Sequence, residues 1–156
     1  MDNFGLPNQT SGLHHSGKEP HILREILLAS QALQNTFSRK VGVPASRLAI
    51  LRLLAINHPE TLGVMAIARS LSVNPAAITR QVNDMENQQL IVRQPDPHDH
   101  RRAYLMLTPK GFQLFGEAHK RAHDFEKELQ TSLSNNDIST TNRILAQIRS
   151  RLEQMG

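Results

Sequence analysis

The 156-residue chain contains no cysteine and no tryptophan. Without thiols it has no disulfide framework, no thiolate metal site and no cysteine-based redox sensor. Aromatic residues make up 4% of the chain against 38% for all hydrophobic types. Any core is therefore mostly aliphatic, as in many helical bundles. No apolar run approaches the roughly 18 residues that a membrane span requires, and the N-terminus lacks a signal-peptide core. A cytoplasmic protein with no membrane partner is the expectation. Chemistry is scarce as well. No paired carboxylates, nucleophile–base arrangement or glycine-rich phosphate loop stands out, and Gly17-Lys18 lacks the upstream glycine of a P-loop. Neither an enzyme nor a cofactor is expected.

Charge of one sign is also modest, with 18 basic against 14 acidic side chains and a formal net charge of +4. Between Arg69 and Lys110 there are six basic and four acidic residues, a balance that any solvated surface reaches. A polyanion partner is permitted by these numbers and not demanded by them. The placement of the charges is more informative than their sum.

That placement centres on Asn74 to Thr108. Asn74 suits an N-cap, because its side chain accepts an orphan backbone N–H, and Pro75 suits the first helical position. Ile78, Val82 and Met85 then recur at i, i+4 and i+7, a single apolar stripe. Ala76, Thr79, Arg80 and Asn83 fall on the other side, small or able to donate to phosphates and base edges. Leu90-Ile91-Val92 and Tyr104-Leu105-Met106-Leu107 are short β-prone runs. Between them, Pro95-Asp96-Pro97-His98-Asp99-His100-Arg101-Arg102 is predicted to continue neither strand, since its prolines remove backbone donors. A helix followed by a two-stranded ribbon with an arginine tip has the form of a recognition helix and wing, and points to duplex DNA. Asp99 and Arg101 are two apart, close enough for the carboxylate to orient the guanidinium toward a narrow minor groove. A surface ion pair worth about 0–1 kcal/mol is the plainer alternative.

The flanks complete the pattern. Residues 1–19 are rich in Asn, Gly, Ser and His without an apolar period, and a disordered tail is expected there. A helix is predicted from Pro20 to Lys40, with Ile22, Ile26, Ala29, Leu33 and Phe37 on one side and Gly42 as its stop. A second starts at Pro44 with Leu48, Leu51, Leu54 and Ala55 buried, and with Arg47 and Arg52 left to solvent. A short third helix opens at Thr61 and buries Val64, Ile67, Ala68 and Leu71. Its turn, with Leu71 and Val73 as pins, gives a helix-turn-helix spacing with the helix after Asn74. Thr108-Pro109 repeats the cap-and-proline signature and opens a long helix to Ser132, lined by Phe115, Ala118, Ala122, Phe125, Leu129 and Leu133. Asn135-Asn136-Asp137 is expected to break it before a last helix carrying Ile138, Ile144, Leu145, Ile148 and Leu152. A winged unit complete at Thr108 needs neither of these helices, so the apolar sides at both chain ends suit dimerisation; a self-contained bundle is the alternative. His119 and His123 stand at i, i+4, but a metal site there lacks an obvious third ligand, and none is expected. His98 and His100 beside Asp96 and Asp99 fit solvation or phosphate contact better than a metal cluster.

Several of these stretches resemble the MarR family of bacterial winged helix-turn-helix transcription regulators. They are Leu90-Ile91-Val92-Arg93, Asp96-Pro97-His98-Asp99-His100-Arg101, and Leu105-Met106-Leu107-Thr108-Pro109-Lys110-Gly111. They are similar to the family's second strand, its wing with an Asp-x-Arg core, and its Leu-Thr-x-x-Gly entry to the fifth helix. Val73-Asn74-Pro75-Ala76-Ala77-Ile78-Thr79-Arg80 resembles the opening of its recognition helix. Gln89 departs from the pattern, standing where a glycine usually ends that helix in a left-handed conformation.

The resemblance implies a mainly α fold with a small β wing, a winged helix-turn-helix flanked by N- and C-terminal dimerisation helices. Residues 20–43 and 109–156 would dimerise and 44–108 would bind DNA, as one domain overall. It implies a homodimer on a pseudo-palindromic operator, acting as a repressor that a small aromatic or anionic effector releases. Asn74, Pro75, Ala76, Thr79, Arg80 and Asn83 would meet DNA from the recognition helix, and His98, Asp99, His100, Arg101 and Arg102 from the wing. The competing expectation is a dimeric helical interaction protein that binds a protein partner.

Overall fold

The computed structural model describes residues 21–96, 98, 99 and 103–156. The tail expected at 1–19, and Pro97, His100, Arg101 and Arg102 of the wing, lie outside the described residues. The chain divides into two compact units, Met1–Leu33 and Gln34–Gly156. The elements in order are α1 (Ile22–Val41), α2 (Ala45–Ile56), α3 (Val64–Leu71), α4 (Pro75–Asn87), β1 (Ile91–Pro95), β2 (Ala103–Leu107), α5 (Pro109–Gln130) and α6 (Asn135–Met155). The architecture is mainly α with a small β wing.

In the first unit the described residues are helical from Ile22, with Ile22, Leu23, Leu27, Leu28 and Leu33 all exposed. In the second, the end of α1 is stopped by Gly42 at φ +85°, a conformation that suits glycine. Val41 and Val43 on either side of it are buried with Ala118 of α5. Around them pack Phe37, Leu48, Ala122 and Phe125, with the Phe37 and Phe125 rings edge to face. Lys40 reaches Glu128 across the same pair of helices at 2.9 Å.

The main core gathers Ile50, Leu51 and Leu54 of α2, Ile67 and Ala68 of α3, and Ile78, Val82 and Met85 of α4. Leu90, Ile91, Leu105 and Leu107 join them from the sheet. Each fully buried aliphatic side chain contributes about 1.5–3 kcal/mol relative to exposure. All three residues of the α4 stripe are buried, as their spacing predicts. Ile50 is buried too, although it fell outside the apolar set expected of α2. Val73, expected to pin α3 to α4, is exposed. The turn is instead made by the backbone: Ser72 takes φ +53° and Val73 N–H donates to Ala68 O at 3.0 Å.

The sheet pairs β1 and β2 antiparallel, Ile91 opposite Leu107 and Pro95 opposite Ala103. Pro95 thus ends a strand that its missing donor was expected to exclude. It is tolerated because β1 is the outer strand, hydrogen-bonded on one side alone. On the other side, Leu105 N–H donates to Leu62 O at 2.9 Å, a single bridge ahead of α3.

The first turns of α5 belong to this core, with Phe112, Leu114 and Phe115 packed against it. The winged region is therefore not complete at Thr108. Gly111 explains the approach: a Cβ there would lie 2.0 Å from Leu90 O, so no larger residue fits without moving the backbone. Asn135-Asn136-Asp137 proves to be the first turn of α6 rather than a break. Ser134 Oγ accepts from Asp137 N–H, and the Asp137 carboxylate accepts from Ser134 N–H, a reciprocal cap. No residue of α6 is buried.

Candidate nucleic-acid interface

Residues of α4 divide sharply by side. Ile78, Val82 and Met85 are at most 1% exposed, which fixes the helix rotation and leaves Ala76, Arg80 and Asn83 in solvent. The helix starts where expected, with Asn74 Oδ1 accepting from Ala76 N–H at 2.8 Å and Pro75 in the first turn. Thr79 is half-buried and donates its hydroxyl hydrogen to Pro75 O at 2.9 Å, so its oxygen serves outward as an acceptor. Among the described residues no hydrogen bond or ion pair holds Arg80. Asn83 is occupied: Arg93 of β1 donates to its Oδ1 and also pairs with Glu86 at 2.9 Å.

The C-terminal end of α4 is held from three directions. Gln89 adopts φ +60°, so this glutamine accepts the left-handed strain that a glycine would avoid. Behind it, Leu90 N–H donates to Met85 O at 2.9 Å, closing the helix end. Lys110 donates to Gln88 O at 2.8 Å, and Thr108 Oγ1 donates to Gln89 O at 2.7 Å. Arg47 of α2 donates to Gln88 Oε1 at 3.2 Å. It is half-buried, not the solvated residue its position off the apolar side suggested.

The wing is organised by a residue outside the expected contact set. Asp96 is 8% exposed, and its Oδ1 accepts from His98 N–H at 2.7 Å and Asp99 N–H at 3.3 Å. Its Oδ2 accepts from the Tyr104 hydroxyl at 2.7 Å. One carboxylate therefore caps the turn and ties it to β2. An aspartate directly before a proline is a turn signal in its own right, and it was available in Asp96-Pro97. His98 is exposed and Asp99 half-buried. The expected Asp99–Arg101 pairing lies outside the described residues, because Arg101 does.

His119 lies over the Phe115 ring with centroids 5.4 Å apart. Among the described residues no group of three or more His, Cys, Asp or Glu is placed to hold a metal. No helix among them is long and apolar enough to cross a membrane.

The stretch that carries α4 and the wing is similar to known proteins. A MarR family profile matches residues 41–102, from the end of α1 through the wing. An uncharacterized HTH-type transcriptional regulator of Bacillus subtilis, YdgJ, is 23% identical over 138 residues, covering 88% of this chain and 83% of that protein. In structure, the chain is similar to Staphylococcus aureus MepR in a DNA complex, with TM-score 0.78 and 20% identity. That match covers 86% of this chain and 99% of the other. It is also similar to a mutant MarR of Escherichia coli complexed with operator DNA, with TM-score 0.72 and 20% identity, over 80% of this chain and 91% of that one. The chain is thus similar to the MarR family over residues 41–102 and shares its fold with these solved structures.

Proposed function

We propose that the protein is a sequence-specific DNA-binding repressor that acts as a homodimer on a pseudo-palindromic operator and is released by a small aromatic or anionic ligand. The observation that carries the reading is the division of α4, one side sealed in the core and the other exposed with Arg80 unpaired. Asn74, Pro75, Ala76, Thr79, Arg80 and Asn83 enter the major groove. His98, Asp99, His100, Arg101 and Arg102 follow the neighbouring minor groove, with Asp99 orienting Arg101. The structures of MepR with DNA and of MarR with operator DNA support duplex DNA as the partner.

Dimerisation is supported by apolar side chains without cover in the single chain, among them Leu27 of α1, Leu129 of α5 and Leu152 of α6. A second copy is the partner that covers these side chains. A heterologous protein partner is the second reading, since the same residues would serve it. An effector site is supported by a groove of about 510 Å3 lined by Val64, Met65, Arg69, Arg93 and Tyr104. Arg69 brings a cation to it that suits an anion, and Tyr104 connects it directly to the wing carboxylate.

The test is a titration of duplex DNA from upstream of the gene at two salt concentrations. Specific binding should weaken with a log–log slope of about −0.9 per phosphate neutralised. Equal affinity for every sequence, or none at all, would overturn the reading.

A further inference from the structure

β1 sends one side chain across to the exposed side of α4. Arg93 donates through Nη2 to Asn83 Oδ1, and its Nε lies 2.9 Å from Glu86 Oε2. Asn83 and Glu86 stand at i and i+3, neighbours on one helix side. One planar fork engages both. A guanidinium has donors and no acceptor. The atom that Asn83 turns toward it must therefore be the carbonyl oxygen, and the amide NH2 is the group left for other partners.

This matters for base reading. An asparagine recognises adenine by accepting from N6–H with its oxygen while donating to N7 with its nitrogen. Here the oxygen is engaged, and its remaining lone pair lies beside a cation that repels the positive hydrogens of an amino group. Adenine N7 still accepts from that NH2, but adenine's N6–H2 donor then has no acceptor to meet, whereas guanine presents only acceptors, N7 and O6, and thymine presents O4. We infer that Arg93 is a positioning residue that locks Asn83 as a donor-only group, so that each half-site carries a keto base, guanine or thymine, where Asn83 reads it. The inference rests on the DNA-binding reading above.

A phosphate contact is the other role open to Arg93, and its partner argues against it. Swinging to the backbone would leave the Glu86 carboxylate unneutralised against a polyanion. Arg80, unpaired and exposed, meets phosphates or bases without that penalty.

Selection of full-length protein on a random duplex pool tests the inference, alongside NMR of the Asn83 side-chain amide in the DNA-free protein. The wild type should enrich guanine or thymine at one position per half-site. Arg93→Met keeps the length and removes every donor. It should move that position toward adenine by roughly 5- to 100-fold, the range of a bidentate base contact, and leave the rest of the motif intact. Arg93→Lys keeps a long donor and should retain the keto base. In the free protein, Arg93→Met should shift the Asn83 amide resonance. An unmoved resonance would overturn the clamp whatever the DNA result. Adenine enriched by the wild type would overturn it too, as would an equal loss by Arg93→Met on cognate and random duplexes. Failure of the wild type to enrich any duplex, with the resonance shift present, would instead sink the DNA-binding reading.

Discussion

Two helices of this protein carry the same kind of apolar stripe and meet opposite fates. In α4, Ile78, Val82 and Met85 are at most 1% exposed, whereas in α6 Leu145 is 48% and Leu152 61% exposed. Composition does not separate them, and both keep the 3.6-residue period. What separates them is cover. The α4 stripe meets α2, α3 and the sheet, which are joined to it by short connections. In the single chain, nothing buries any residue of α6. Between these extremes, α5 changes character along its length, burying Gly111 and Ala118 and exposing Leu129.

The sharpest way to break this comparison is to truncate one residue from each stripe's environment. Ile67→Ala, in the core that covers α4, should destabilise the chain by about 2–5 kcal/mol in urea unfolding at any protein concentration. Leu145→Ala should change the unfolding of the dissociated chain by no more than about 0.5 kcal/mol. It should instead weaken self-association, read by sedimentation equilibrium over a dilution series. Equal losses in the two variants under dilute conditions would show that α6 is covered within one chain.

Next in size is the tie between the wing and β2. Tyr104→Phe removes the hydroxyl donor from Asp96 and leaves its two backbone donors in place. A loss of about 1–1.5 kcal/mol in thermal or urea unfolding is expected for one hydrogen bond to a nearly buried carboxylate. Asn74→Ala should cost about 1 kcal/mol, the usual value of an N-cap, with helicity lost first at the start of α4. Hydrogen exchange of the Ala76 amide reads it directly.

The smallest effect separates α6 from the core by pH. The hydroxyl of Ser134, and then its backbone N–H, hold the Asp137 carboxyl below its ordinary range. A depressed folded-state value means that the cap contributes above the unfolded pKa and is lost as pH falls through the folded one. Acid titration of α6 helicity should show that loss in the wild type, and Asp137→Asn should abolish the pH dependence. The α4 stripe has no such group and should not respond over this window.

Much of the fold is legible in residue spacing. Asn74-Pro75 and Thr108-Pro109 marked two helix starts because caps act locally, within three residues. The same locality explains what was missed. Asn135-Asn136-Asp137 has the composition of a break, yet Ser134 just before it turns those residues into a first helical turn. Pro95 resembles a strand terminator, but the cost of a missing donor depends on whether a neighbouring strand needs it, which topology decides. The exposed side of α4 followed from its stripe, since fixing one side of a helix fixes the other. Arg93, Glu86 and Asp96 were not found as a group. Their roles depend on contacts between elements, and only the proline after Asp96 left a local trace.

The contact of Gly111 with Leu90 removes a degree of freedom. Backbone touches backbone there, with Thr108 and Lys110 bonded to Gln88, Gln89 and Leu90 around it. The corner that ends α4 and the start of α5 therefore share one hinge point with no compressible side chain in between. Over its 22 residues α5 is about 33 Å long. In a rigid pivot about that corner, each degree of tilt carries its far end by about 0.6 Å over that length. Conversely, a displacement of a few ångströms at the exposed end of α5 amounts to only a few degrees at the root of α4. A chain pivoting in this way is geared down toward α4, so large motions at one end become fine adjustments of angle at the other.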